Sequence, residues 1–383
     1  MSELQERVYP WRQALVPIVT IIAFVVLKFA AAPMYSTALG RSPAMMIEMM
    51  GSRTMAFGWS PEGYYEELFA TGRFDRQMIF FRSGTFVPDT YRIRRLKPNL
   101  PKVTEWKTNY DPVNRFGYIG PQWSLAKPPN TRRVAVLGAS IAEGYGVDMN
   151  QDFVYLLANR LNGTAAAEGR TQRFEFLNFA VSGYHLTQMM DVALQDTPQF
   201  HPDVYIVELT ALSAYRGWDT HLIYLVQNGI DPKYDFLKKI LIAAGAKQTD
   251  DEATLSAKLA PFRMSVLRQS LLAMKANAEQ HGAQLLIILV PAVDEADIES
   301  RRMEEIPGLL SSLGISFVDL SDTFAPVLDR SHLRLSETDI HPTPTGHEML
   351  CDNLYKKLRA NPDAWSKLVG SNDGGGKIAE GAH

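Results

Sequence analysis

The chain has 383 residues, of which 46% are hydrophobic and 21% charged, and its formal net charge is −3. This composition is typical of a globular protein with one large or two medium domains. The sequence has no basic run, zinc-finger spacing or interleaving of basic and aromatic residues, so no nucleic-acid partner is expected. The single cysteine, Cys351, excludes an internal disulfide and a cysteine-based metal site. Neither a metal nor a cofactor is expected.

The N-terminal part contains the apolar stretch "ALVPIVTIIAFVVL". Residues 14–35 are long enough to span a bilayer if Lys28 extends toward an interface. We therefore predict an uncleaved transmembrane signal anchor, with residues 1–37 forming a cytoplasmic stub and the span. Arg7 and Arg12 precede the span, which favours a cytoplasmic N-terminus and a main domain on the extracytoplasmic, periplasmic side of the inner membrane. A cleaved signal peptide and a buried helix remain alternatives.

Residues 38–130 are predicted to form a lead-in segment that packs on the main domain. Within it, residues 60–74 are predicted to be helical, because Ser60 suits the N-cap and a proline follows at the first helical position. The methionine-rich stretch at 45–50 fits a buried core or a lipid-facing or partner surface. Residues 81–130 show little periodicity and are predicted to be extended and irregular.

From residue 131 onward, apolar strands alternate with amphipathic helices. Strands are predicted near 131–137, 174–183, 203–209, 283–291 and 315–321, and helices near 152–163, 185–197, 258–282, 302–314 and 343–360. This alternation predicts a three-layer α/β/α sandwich with a mainly parallel, flavodoxin-like sheet. We assign this domain to residues 131–362, with an insertion at about 216–257, followed by a disordered tail at 363–383.

Chemistry-bearing residues occur where strands of such a sheet end, which is where open α/β sheets place their sites. Ser140 follows the first strand, Gly183 follows the second, and Asp339 and His341 precede the last helix. Acyl transfer needs a nucleophile, a base and a group that orients the base, and these residue types supply all three. His347, one turn into the last helix, is the rival base.

Each motif also has an interpretation without catalysis. A glycine and serine after a strand fit a tight turn or a phosphate-binding loop, although the G-x-G-x-x-G fingerprint and the Walker lysine are both absent. An Asp-x-His sequence before a helix also fits capping beside a surface histidine. His185 follows Gly183 and is predicted to line the pocket.

Residues from about 110 to 360 resemble the SGNH/GDSL hydrolases, specifically their membrane-anchored, envelope-associated members. The resemblance lies in four segments, in the expected order: "VNRFGYIG" (113–120), "VLGASIAEGYGV" (136–147), "LNFAVSGY" (177–184) and "DIHPTPTGH" (339–347). It implies that Ser140 is the nucleophile, His341 the base and Asp339 its orienter. It also implies that Gly183 is an oxyanion donor, and it places Asn178 in the substrate-binding block.

Two positions depart from this pattern. Ala139 stands where the first block usually has Asp. Leu212 stands where the third block usually has an Asn whose side chain completes the oxyanion hole. Leucine has no donor, and losing one such donor costs about 10²–10³ in turnover. Thr210, Ser213 or a residue of the insertion could substitute.

The sequence therefore supports two functions. The first is an envelope-anchored serine esterase or O-acyltransferase acting on an O-acylated glycan or lipid. The second is a catalytically weak or inactive SGNH-like subunit that serves binding or assembly with a membrane-protein partner. A nucleotide-binding α/β protein is a more remote third possibility, against which the absent phosphate fingerprint argues.

Overall fold

The structure of the protein is a computed structural model, and it describes residues 84–103, 111–293, 303–336 and 339–370. The predicted span at 14–35 and the helix at 60–74 lie outside these residues, as does the tail from residue 371. Residues 363–369, which we predicted to belong to a disordered tail, instead lie in a helix whose Ala364 and Leu368 are fully buried. In the described part of the chain, no helix combines the length and apolar character needed to cross a bilayer. The membrane anchor and the domain boundaries stay predictions.

The elements alternate along the chain as the sequence predicts. The strands are β1 (Phe86–Asp89), β2 (Ile93–Leu96), β3 (Thr131–Leu137), β4 (Arg173–Asn178), β5 (Val204–Leu209), β6 (Gln284–Leu289) and β7 (Ser316–Asp319). The α-helices are α1 (Ser140–Glu143), α2 (Phe153–Ala167), α3 (Leu186–Gln195), α4 (Thr220–Gln227), α5 (Asp235–Ala243), α6 (Glu252–Leu259), α7 (Arg263–Gln280), α8 (Glu305–Ser312), α9 (Pro344–Ala360) and α10 (Pro362–Val369).

The central sheet has five strands in the order β4-β3-β5-β6-β7, and every neighbouring pair is parallel. Numbered from β3, this is the 2-1-3-4-5 order of flavodoxin-like folds. The strand order reverses between β3 and β5, so a crevice opens there beyond the carboxyl ends of the strands. The residues that follow these two strands are therefore placed to form a site.

Helices cover both faces of the sheet, because alternate residues of each strand point to opposite sides. Ala135 and Leu137 of β3 join one buried cluster, which takes in apolar residues of α3, α7 and α8. Val134 and Val136 join the other cluster, with residues of α2, α9 and α10. The parallel five-stranded sheet with helices on both faces is the α/β/α arrangement that the sequence predicts.

An antiparallel hairpin, β1–β2, occupies part of the segment that we predicted to be irregular. Phe86 pairs with Leu96, and Ile93 has a φ of 71°, in the left-handed region. The strands have only four residues each and include charged side chains. Such short, polar strands give too little alternation for a periodicity argument to detect.

A buried ion cluster ties this hairpin to α3 and to the insertion. The Arg92 guanidinium lies 2.6 Å from Asp191 Oδ2 and 2.6 Å from Asp196 Oδ2. The insertion supplies the Lys233 ammonium, 2.5 Å from Asp191 Oδ1, and the Tyr118 hydroxyl donates to Asp196. Burial alone would raise the pKa of Asp191, but the Arg92 charge and the donated hydrogen bonds hold it below its usual value.

The insertion at 216–257 is helical and contains α4, α5 and α6. Its apolar residues form a cluster of their own, which includes Leu222, Leu237 and Leu255 and also Tyr91 between the hairpin strands. The insertion and the hairpin are therefore packed together beside the main sheet.

Candidate active site

Ser140 is the first residue of α1, directly after the turn that ends β3. Gly138 and Ala139 form this turn, and only a residue without a side chain fits at position 138. A Cβ there would lie 2.3 Å from Glu208 Oε2 and 2.6 Å from the Ala142 Cβ. The N–H of a first helical residue has no carbonyl partner within its helix. The turn therefore presents both the Ser140 hydroxyl and its N–H beyond the end of the sheet.

Glu208, a fully buried residue of the neighbouring strand β5, fixes this turn by hydrogen bonds to its backbone. Its Oε2 accepts hydrogen bonds from Ala139 N at 2.7 Å and from Ala142 N at 3.3 Å. Burial and, to a smaller extent, nearby Glu143 raise the pKa of Glu208 to about 7, against the lowering effect of the two donated hydrogen bonds. Sequence reasoning missed Glu208, although a charged residue in the apolar strand "YIVEL" was a usable signal.

We expect Glu208→Gln to remove a pH-dependent part of the stability. Because the folded-state pKa lies above the ordinary 4.5, the native protein holds this proton more tightly than the unfolded chain does. Stability should therefore fall as pH rises from 4.5 to about 7, by about 3 kcal/mol at most. Urea unfolding across this range should show the glutamine variant gaining relative to the wild type as pH rises.

The matched control is Glu279→Gln, which changes an exposed carboxyl on α7. This variant should follow the wild-type pH profile. A stability difference between Glu208→Gln and the wild type that is the same at pH 4.5 and pH 8 would contradict the expectation.

His341 and Asp339 reach Ser140 from the loop before α9. His341 Nε2 lies 2.8 Å from Ser140 Oγ, and His341 Nδ1 lies 2.5 Å from Asp339 Oδ1. The same Asp339 oxygen accepts the His341 backbone N–H at 3.1 Å. Burial would raise the pKa of Asp339, but the hydrogen bonds from His341 hold it below its usual value, so the carboxylate is ionised at neutral pH.

The loop that carries His341 is fixed on both sides. Leu335 N donates to His341 O at 3.0 Å, and Val293 N, just beyond β6, donates to Ile340 O at 3.1 Å. Thr343 caps α9 through Gly346 N, and a proline follows at the first helical position. The Tyr145 ring lies against the imidazole, with 4.5 Å between the ring centroids. His341 is thus held facing Ser140.

Gly183 lies in the loop after β4, which ends at Asn178, five residues before the predicted strand end. Its φ is 76°, a conformation that favours glycine. Val181 N in this loop donates to Gly138 O at 3.2 Å, and the Ser182 hydroxyl donates to Glu143 of α1. These bonds bring the Gly183 loop beside the Ser140 turn.

Asn178 is placed differently from our expectation. Its Nδ2 donates to Ala142 O at 2.6 Å, and its Oδ1 accepts from Ala180 N at 3.1 Å. The amide thus fixes the end of α1 against the Gly183 loop, through backbone groups, in place of the substrate contact that we predicted.

The two other histidines that the sequence analysis singled out, His185 and His347, pack within the fold. His185 is 3% exposed, and its ring packs so closely on Gly217 that a Cβ there would lie 2.6 Å from Cε1. Burial, together with His221 and the Arg94 charge, lowers the pKa of His185 to about 3, so the ring is neutral at pH 7. His347 Nδ1 accepts the Phe153 N–H at 3.2 Å between α9 and α2, so His347 serves that packing.

The third-block segment after β5 forms a π-helix, Leu212–Arg216. Thr210 and Ser213 are hydrogen-bonded to each other: Thr210 N donates to Ser213 Oγ at 3.0 Å, and Ser213 N donates to Thr210 Oγ1 at 3.2 Å. The Ser213 hydroxyl donates to Thr210 O at 3.2 Å. Thr210 and Ser213, two of the predicted substitutes for the missing donor, are therefore used within their own turn.

Residues 136–349, more than half of the chain, match the family model described as GDSL-like Lipase/Acylhydrolase family. The chain belongs to this family. The resemblance seen in the sequence is thereby confirmed, and the match spans Ser140, Gly183, Asp339 and His341. The hairpin β1–β2 and its Arg92 lie outside the matched segment.

Several solved structures are similar to this GDSL-family chain. They include the crystal structure of TesA, at 16% identity over 60% of this chain and 99% of that chain, with a TM-score of 0.40. The psychrotrophic esterase EstA from Pseudoalteromonas sp. is 12% identical over 60% of this chain and 97% of that chain, with a TM-score of 0.39. An acetylxylan esterase from Geobacillus stearothermophilus is 12% identical over 59% and 93%, with a TM-score of 0.39. No curated protein matched the chain.

The donor types around Ser140 suit proton transfer. Among the residues that the structure describes, no group of three or more His, Cys, Asp or Glu side chains is arranged to hold a metal ion. The contiguous chain of hydrogen bonds from Ser140 through His341 to Asp339 is the arrangement that activates a serine hydroxyl.

Proposed function

We propose that this GDSL-family protein is a serine esterase or O-acyltransferase in which Ser140 is the nucleophile. The observation that carries the proposal is the hydrogen-bonded chain from Ser140 Oγ to His341 Nε2 and from His341 Nδ1 to Asp339, at 2.8 and 2.5 Å. A hydroxyl by itself is a weak nucleophile, and this chain supplies the oriented base that it needs.

The chemistry follows from these positions. Ser140 Oγ attacks the ester carbonyl carbon while His341 Nε2 takes the hydroxyl proton, and Asp339 stabilises the resulting imidazolium. The N–H groups of Ser140 and Gly183 donate to the oxyanion. His341 then returns the proton to the departing alcohol oxygen, which leaves an acyl group on Ser140. Water or a second alcohol attacks that acyl group, giving a carboxylic acid or a new ester.

We further propose that the substrate is an O-acylated glycan or lipid of the cell envelope. The support is the apolar sequence at 14–35, which is long enough to anchor the chain in a bilayer, with about 345 residues following it. In this proposal, the anchor holds the catalytic domain on the periplasmic side of the inner membrane, where such substrates lie.

A second candidate function is a binding or assembly subunit with little activity. The observation that favours it is Leu212, because the side chain aligned with the family's oxyanion Asn cannot donate a hydrogen bond. Thr210 and Ser213 are occupied with each other. In this candidate, the surface around a slow site would bind a membrane-protein partner.

The deciding experiment uses the full chain in detergent. We expect hydrolysis of p-nitrophenyl acetate or octanoate, and covalent labelling of Ser140 by a fluorophosphonate, located by peptide mass spectrometry. The two esters separate short from long acyl groups, and adding an oligosaccharide or lysophospholipid acceptor separates transfer from hydrolysis. Absence of both turnover and labelling would exclude the esterase and favour the binding subunit.

The anchor has its own test. The full chain should remain in the membrane pellet after alkaline carbonate washing, and a protease should reach the main domain only from the periplasmic side. Release of the intact chain by carbonate would contradict the anchor without affecting the esterase proposal.

A further inference from the structure

We infer that Arg94 strengthens the Gly183 N–H as an oxyanion donor by binding the carbonyl at the other end of the same peptide unit. The inference rests on the proposed esterase function. It assigns to the hairpin β1–β2, which lies outside the family-matched segment 136–349, a role in the reaction of the catalytic domain.

Arg94 is buried against the loop that contains Gly183. Its Nη2 donates to Ser182 O at 3.0 Å, and the residue is only 8% exposed. The guanidinium carbon lies 5.4 Å from the centre of the Phe86 ring, in the neighbouring strand. In return, the Tyr184 hydroxyl donates to Arg94 O at 2.6 Å. The hairpin thus holds the chain on both sides of Gly183.

The peptide unit that joins Ser182 and Gly183 links Arg94 to the oxyanion donor. The Ser182 carbonyl and the Gly183 N–H belong to one planar amide, and in a trans amide they point in opposite directions. A cation that binds the oxygen favours the resonance form with negative charge on oxygen and positive charge on nitrogen. The N–H consequently becomes a stronger donor, as in any polarised chain of hydrogen bonds. A charge-assisted bond in a buried place makes this effect larger.

A stronger Gly183 donor acts mainly on the tetrahedral intermediate. The substrate carbonyl oxygen carries only a partial charge, whereas the tetrahedral intermediate carries a full negative charge. A stronger donor therefore stabilises the intermediate more than the bound ester, which raises kcat and leaves KM nearly unchanged.

Leu212 stands where the family usually has an asparagine that donates to the oxyanion. With no side-chain donor at that position, the backbone donors carry more of the oxyanion stabilisation. The Arg94 charge acts electrostatically on this loop, because it contributes to the lowered pKa of His185, two residues beyond Gly183. Arg94 acts through the peptide and does not touch substrate, so it is a positioning residue.

The test compares three variants of the full chain in detergent with p-nitrophenyl acetate. Arg94→Gln should lower kcat by about 10-fold with KM within twofold, a smaller loss than the about 10²–10³-fold that follows removal of a whole donor. Arg94→Lys keeps the charge and should recover most of the activity. Arg95→Gln, on the same strand but exposed, should match the wild type.

A second readout separates the electronic role from a structural one. An alkyl boronic acid forms a tetrahedral, negatively charged adduct with the serine, and its affinity should fall in Arg94→Gln by the same factor as kcat. Loss of activity with a raised KM and unchanged boronate affinity would overturn the inference, as would full activity in Arg94→Gln. A wild-type chain without turnover or fluorophosphonate labelling would overturn the proposed function instead.

Discussion

Replacing Ser140 with alanine is expected to lower ester hydrolysis by about 10⁶-fold, to the background set by binding and the oxyanion donors alone. The reason is geometric: no hydroxyl would remain 2.8 Å from His341 Nε2. Initial rates with p-nitrophenyl acetate, together with fluorophosphonate labelling, measure the loss directly. Labelling should vanish together with turnover, because both reactions need the same oxygen.

The matched control is Ser270→Ala, which removes a fully buried serine hydroxyl from α7. Among the described residues, the Ser270 hydroxyl has no hydrogen-bond partner, so this variant should retain wild-type turnover and labelling. An Ser140→Ala protein that still hydrolyses esters at more than one-hundredth of the wild-type rate would show that another residue is the nucleophile.

Replacing Leu212 with asparagine is expected to raise kcat by about 10²–10³-fold, which is what one oxyanion donor contributes. Position 212 begins the π-helix directly beyond β5, the strand beside β3. It follows one of the two strands between which the strand order reverses, and the expectation is that an amide at this position donates to the same oxyanion as the Ser140 and Gly183 N–H groups. A gain of this size with KM little changed would show that the donor missing at position 212 limits turnover.

Two controls define this result. Leu212→Ala shortens the side chain without adding a donor and should leave kcat near or below the wild-type value. Thermal unfolding of both variants checks that the π-helix tolerates the change. If asparagine and alanine behave alike, the oxyanion is stabilised by other groups and position 212 does not limit turnover.

Much of the site could be predicted from the sequence because its residues follow the ends of recognisable strands. Ser140 comes after an apolar run, and His341 and Asp339 precede a proline-started helix. The alternation of strands and helices then dictates that these segments meet at one edge of the sheet. The family pattern adds Gly183, and the structure places its loop against the Ser140 turn.

The residues that sequence reasoning missed act through contacts between distant parts of the chain. Glu208 binds the Ala139 N–H from 69 positions away, and Arg94 binds the Ser182 carbonyl from 88 positions away. Hydrophobic periodicity reports which face a residue takes and carries no information on such pairings. Asn178 was misplaced for the same reason, since its partner at Ala142 is a backbone carbonyl.

The buried ion cluster around Arg92 also affects which residue an expressed fragment should start from. An expressed fragment starting at residue 136 would keep Asp191 in α3 and Asp196 at its C-terminal cap but lose the Arg92 guanidinium that contacts both. Removing one partner of a buried ion pair costs up to about 3–5 kcal/mol, and Lys233, which stays paired with Asp191 in such a fragment, would offset part of this cost. The remainder is still a sizeable share of the about 5–15 kcal/mol that stabilises a typical domain. We therefore expect the family-matched segment alone to be less stable than a chain that begins upstream of the hairpin, which is the better expression boundary.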